Sequence, residues 1–138
     1  MKQFVYLVIF CSIFSVHGQD STKAEPPIIV TKLLLGNQYE YNSHIVKFVD
    51  VLNDSRCPKN VTCVRAGEAK VLVAIYKDAQ FIEEKIIEIT PTTYLTRNLS
   101  QLIISGEKII KGFNLTPYPE FGKEIKKANY ILQIVVED

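Results

Sequence analysis

Tryptophan is absent from the 138 residues, methionine occurs once, and alanine only 6 times against 17 isoleucines and 13 valines. That ratio favours pleated sheet over helix, because β-branched side chains are stiff at χ1 and pack well on strands. A surplus of either charge is missing as well: 16 basic residues face 15 acidic ones, a formal charge of +1. Without a basic surface to displace counterions, generic binding to a phosphate backbone is excluded as a main role, so no nucleic-acid partner is expected. The 47% apolar content equally excludes an acidic disordered tail. Neither a G-x-G-x-x-G nor a Walker loop is present, so nucleotide binding finds no support. A single domain fits the length.

What is present begins with an address. Lys2 gives a positive start, Phe4 to Phe14 is a short apolar run, and Val16-His17-Gly18 places small residues at the −3 and −1 positions of a cleavage site. Residues 1–18 therefore read as a signal peptide, with Gln19 as the mature N-terminus and a mature formal charge of 0 once Lys2 is gone. The run is too short to span about 30 Å of hydrocarbon comfortably, and no later segment reaches 18 uninterrupted apolar residues. The mature chain is thus expected to lack a transmembrane segment and to be exported, to a periplasm or to the extracellular space.

Export sets the cysteine chemistry. With Cys11 removed, Cys57 and Cys63 are the remaining thiols, and in an oxidising compartment two cysteines most simply form one disulfide. A redox-active pair is the rival reading, but the spacing is not C-x-x-C. The loop they close is small, so the bridge shapes a local loop more than it holds a domain together.

Residues 19–27 are polar and end in two prolines, a flexible lead-in. From residue 28 to 138 the pattern is one of short strands. Ile28 to Leu35 closes at Gly36-Asn37, and a second candidate runs from His44 to about Leu52. There Val46, Phe48 and Asp50 would share one face, with Ile45, Val49 and Val51 opposite. Glu68 to Lys77 alternates, with Ala69, Val71, Val73 and Ile75 on one side, and Asp78-Ala79 makes a tight hairpin into Gln80–Thr90. Asn98 could cap one helical turn bearing Leu99, Leu102 and Ile103. Strands at about Glu107–Leu115 and Asn129–Glu137 complete the chain, the last with Tyr130, Leu132, Ile134 and Val136 on one face. About seven strands without a long helix give an all-β fold, a single antiparallel β-sandwich, with an immunoglobulin-like order as one option.

Chemistry has few places to sit. His44 is the sole histidine after residue 18, and no serine lies in a G-x-S-x-G elbow. Glu83, Glu84 and Glu88 surround Lys85 on one strand, where neighbours cannot face each other across a cleft; they read as a solvated, edge-protecting face. Zinc would need both cysteines reduced, and Asp50, Asn53 and Asp54 do not match a calcium-loop pattern. No catalytic, cofactor-binding or metal site is therefore expected; a hydrolase centred on His44 is the enzymatic alternative. Sequons occur at Asn60, Asn98 and Asn114.

The most distinctive stretch is Asp54-Ser55-Arg56-Cys57-Pro58, followed by Val61-Thr62-Cys63-Val64-Arg65-Ala66-Gly67-Glu68-Ala69. It resembles a signature of small exported bacterial proteins, D-S-R-C-P, four residues, then C-V-W-A-G, a family without an assigned activity. Tyr118-Pro119 and Asn129-Tyr130 also look like the family's C-terminal half. The chain departs from the pattern at Arg65, where tryptophan is expected. The resemblance implies export, a Cys57–Cys63 bridge and a β-rich fold. A bacterial origin would make the sequons accidental, whereas in a eukaryotic host they would carry glycans, one at Asn60 covering the disulfide loop.

Physically, Pro58 and the bridge restrict the loop, Gly67 permits a positive φ or a close approach, and Arg56 offers a forked donor that pins the loop or meets a ligand. A rigid exposed loop is a common recognition surface. The expectation is a non-catalytic binding module that meets a protein or small-molecule ligand through residues 53–67, with Asp54, Arg56, Lys59, Arg65 and Glu68 as contacts. The alternatives are a protease inhibitor presenting Lys59 and a structural protein of an envelope or matrix.

Overall fold

A computed structural model describes residues 29–93, 99–105 and 108–137, with the side chains of 104 and 105 left aside. The signal peptide and the lead-in expected from the sequence lie outside the described residues, as does the Asn98 cap.

Among the described residues, eight strands form two four-stranded antiparallel sheets: β1 (Val30–Leu34), β2 (Gln38–Tyr41), β3 (His44–Asp54), β4 (Ala69–Lys77), β5 (Gln80–Ile89), β6 (Ser100–Ser105), β7 (Lys108–Thr116) and β8 (Ile131–Glu137). One sheet runs β2-β3-β4-β5 and the other β1-β8-β7-β6, and they pack face to face as a β-sandwich. The first sheet is a meander of consecutive hairpins; the second is a meander that takes β1 onto its far edge. This is not the immunoglobulin order, in which the chain crosses repeatedly between sheets. Strand β2 escapes a hydrophobicity pattern because its four residues, Gln-Tyr-Glu-Tyr, are largely polar.

Inward-facing side chains make one core. Val46 and Phe48 of β3, Val71 and Val73 of β4, and Leu132 and Ile134 of β8 are fully buried. The faces expected for β4 and β8 are found; that of β3 is not. Its register shifts between Phe48 and Asp50, which carries Val51 into the core and turns Asp50 outward to Lys127. A bulge adds one residue and so flips the alternation that follows it. The same device corrects the expected helical turn: residues 100–105 are strand β6, and a shift between Gln101 and Ile103 buries Leu102 and Ile103 side by side. A bulged strand thereby imitates the adjacent apolar pair of a helix.

Where the sheets meet, Gly112 of β7 lies close under β5, and a Cβ there would fall 2.7 Å from Ile87 Cδ1, so the tip of that side chain would have to shift to admit it. The β4–β5 hairpin turns on Asp78 and Ala79, both with positive φ (50° and 62°), the conformation a two-residue hairpin demands. The tip of the β2–β3 hairpin lies beside it, Asp78 N–H donating to Ser43 O at 2.8 Å. These two turns mark one end of the sandwich; the connection from Asp54 to Ala69 marks the other.

Candidate functional site

The β3–β4 connection is built upward from a continued ladder. Asp54 and Ala69 are register partners; Ser55 N–H then donates to Glu68 O at 2.9 Å and Cys57 N–H to Ala66 O at 2.8 Å. Ser55 Oγ also donates to Glu68 O and accepts from Glu68 N–H. This neck brings the two strands together at Gly67, whose φ is +70° and where a Cβ would fall 1.8 Å from Ser55 O. Both properties expected of Gly67 are used. Beyond the neck, the Cys57–Cys63 disulfide closes the tip with a Cα–Cα separation of 6.0 Å.

Arg56 fixes this loop to the opposite sheet. Its side chain is 1% exposed. Nε and Nη2 make a fork on Asp54, donating to Oδ1 at 2.7 Å and to Oδ2 at 2.6 Å. Nη1 donates to Leu115 O, and Nη2 also to Pro117 O at 3.1 Å. The Tyr118 ring covers the guanidinium, 5.0 Å from centroid to Cζ, and Tyr130 OH donates to Asp54 Oδ2 at 3.0 Å. Buried charge is tolerable only when paired and hydrogen-bonded, and here both partners are. Arg56 thus takes the pinning role, with its donors turned to Asp54 and to the carbonyls at the end of β7.

The electrostatics follow. Burial pushes the Asp54 carboxyl up, but the hydrogen bonds and charge of Arg56, joined by the Tyr130 hydroxyl, outweigh it and hold Asp54 below its ordinary 3.8. Burial, reinforced by the neighbouring Asp54 carboxylate, pushes the Tyr130 phenol up to about 12. Outside the network, the hydrogen bond from Lys127 lowers Asp50.

Past the anchor the loop faces solvent. Lys59, Val61, Val64 and Arg65 are exposed, Val64 completely. Lys59 N–H donates to Pro119 O at 2.9 Å, which ties the tip to the segment bearing exposed Phe121 and the Glu120–Lys123 ion pair. A cleft of about 350 Å³ runs beside the anchor, lined by Lys59, Ile89, Thr90, Asn114 and Tyr118.

The five residues expected as contacts therefore divide. Asp54 and Arg56 form the anchor, Glu68 lies in the neck with its carboxylate 3.2 Å from Lys70, and Lys59 and Arg65 reach the solvent-facing tip. Sequence reasoning missed Tyr118 and Tyr130 as partners of the Asp54–Arg56 pair, and Val64 as a fully exposed side chain of the tip. The signal for the tyrosines was the resemblance at 118–119 and 129–130; for Val64 there was none. His44 lies at the start of β3, at the other end of the molecule. Asp50 and Asp54 are engaged by Lys127 and Arg56 respectively, and among the described residues no group of three histidines, cysteines or acids is placed to hold a metal ion. Of the sequons, Asn60 is exposed at the tip, whereas Asn114 donates to Gln133 and accepts from Leu115 N–H. Among the described residues no helix is long and apolar enough to cross a membrane.

No family model matches the chain, and no curated protein or solved structure matches it either.

Proposed function

We propose that the protein is an exported, non-catalytic binding module and that the disulfide-closed tip, residues 57–66, is its contact surface. One observation carries this reading: a fully exposed valine, Val64, on a tip whose base is locked by a buried arginine. Ordering a loop in advance lowers the entropy cost of association, so rigidity at an exposed apolar point favours recognition. Lys59 and Arg65 flank the valines, and the segment from Cys57 to Ala66 carries no acid. The partner surface that fits is apolar at its centre and acidic at its rim. Asp54 and Arg56 serve the tip as its foundation. Presentation of Lys59 to a trypsin-like pocket fits less well, because its backbone amide is committed to Pro119.

A photo-cross-linking residue placed at position 64 of the exported protein tests this. Cross-links to one partner that vanish when Arg65→Glu and Lys59→Glu are introduced, in a chain of unchanged stability, are the expected outcome. Failure to capture any partner from position 64 removes the tip from the interaction, and a partner that cross-links equally to the doubly substituted chain removes Lys59 and Arg65 as its determinants.

A further inference from the structure

The inward faces of β3 and β4 end in polar residues at the hairpin end. Along β3 the inward positions run Phe48, Val46, His44; along β4 they run Val73, Ile75, Lys77, and His44 and Lys77 are direct register partners. Cross-strand partners project to the same side of a sheet. The apolar row of the core therefore terminates in an imidazole beside an ammonium group. The imidazole carries an oddity: among the described residues His44 Nδ1 is buried without a hydrogen-bond partner. Buried polar atoms are satisfied in the great majority of cases, and each exception asks for an explanation.

A cavity of about 330 Å³ opens at this point between the two sheets. Its apolar side is Ile75, Ile82, Leu102 and Ile103, and its polar groups are His44, Lys77, Lys85, Glu83 and Gln101. Glu83 is 3.0 Å from Lys85 Nζ, which also donates to Leu102 O across the gap at 3.1 Å, so the acid is neutralised from within. A register shift between Ile75 and Tyr76 in the β4–β5 ladder brings Ile82 to the rim, half-exposed. The volume lies at the low end of the range for ligand cavities, about 300–1,000 Å³.

We propose that this cavity is a binding site for a medium-chain fatty acid, its carboxylate on His44 and Lys77 and its chain along Ile75, Leu102 and Ile103. The site is independent of the disulfide tip. A carboxylate accepts from Lys77 Nζ–H and from the imidazole at Nε2, Nδ1 being enclosed by the protein, a pair of charge-assisted hydrogen bonds beside the aliphatic side of the cavity. Ile75, Ile82, Leu102 and Ile103 give the cavity an aliphatic side that suits an alkyl chain. Glu83 is paired with Lys85, and the charge left at Lys77 is positive, which selects an acid over an amine.

The test is titration of the isotope-labelled exported protein with decanoate, decanol and decylamine below their aggregation limits, followed by nuclear magnetic resonance. Decanoate is expected to shift the amides of His44, Ile75, Lys77 and Leu102 saturably and to move the His44 imidazole nitrogen signals. Decanol binds at least tenfold more weakly, the loss of one charge-assisted interaction. Lys77→Gln and His44→Phe, both at the strand ends and compatible with folding, each reduce decanoate affinity about tenfold. Non-saturable shifts, or shifts confined to the disulfide tip, overturn the site. Equal affinity for decanol and decanoate, or decanoate binding unaltered in both variants, overturns the carboxylate assignment.

Discussion

The two ends of this sandwich are built by opposite means. At the loop end, the irregular chain between Asp54 of β3 and Ala69 of β4 is held by a covalent bridge, a neck of backbone hydrogen bonds and a buried ion pair that reaches into the second sheet. At the hairpin end, the described β2–β3 and β4–β5 connections are two-residue turns that need little beyond their own backbone, and the core there stops at an imidazole with an unpartnered Nδ1 and a cavity. Long loops cost more conformational entropy than short turns, so the longer connection requires more interactions to become rigid. The concentration of ionic and covalent restraints at one end is therefore a measure of how much order that end needs.

Breaking the loop end at its anchor gives the largest effect. Arg56→Ala leaves Asp54 buried without its partner and is expected to cost about 3–5 kcal/mol in denaturant titration. Hydrogen exchange should rise most in residues 54–69 and 115–118, and least at the β4–β5 hairpin. Similar losses at both ends would show that the anchor is part of the global core and not a local device. Gly67→Ala comes next, at about 3 kcal/mol, because it sets a methyl group against Ser55 O in a backbone conformation that L-residues avoid. A thermal melt of that variant with the disulfide intact measures it.

Acid and alkali sharpen the contrast without mutation. Asp54 is held below 3.8 in the fold, so the stability it lends is present above the unfolded value and is lost as pH falls below it. Tyr130 is held at about 12 against an unfolded value of 10.0, so its native state keeps a proton that the unfolded chain gives up. Stability consequently declines as pH rises from about 10 towards 12. Tyr130→Phe is expected to lose the alkaline limb attributable to this residue, at a cost of about 1 kcal/mol near neutrality for one hydrogen bond. Tyrosinate absorbance and chemical denaturation across pH check both. The smallest effect belongs to the hairpin end: Ala79→Gly relieves a positive φ on an L-residue and should stabilise the protein by about 0.5–1 kcal/mol.

Much of this was legible in the residues. Alternation in β4 and β8, the Asp78-Ala79 turn and the spacing of Cys57 and Cys63 all express local rules, and the structure obeys them. What the pattern could not convey is long-range or depends on one added residue. Bulges at Phe48/Asp50 and Gln101/Ile103 reverse the faces that follow, and nothing in Val49 or Leu102 as residue types announces them. Arg56 was visible as a forked donor, but its partners at Leu115, Pro117 and Tyr118 lie about 60 positions along the chain. The orphaned nitrogen of His44 is likewise a property of the assembled sheets alone.

Pairing of β1 with β8 has a practical consequence. Val30 lies opposite Val135, and Ile109, near the start of β7, lies opposite Glu137, so the chain enters and leaves the sandwich side by side at the hairpin end. The nine residues of β7 separate that point from the disulfide tip, roughly 30 Å at the rise of an extended strand. Val30 and Glu137 therefore lie at the end of the sandwich opposite Val64. Coupled to a sensor surface at Val30 or Glu137, the protein would hold its tip outward like a probe on a stalk.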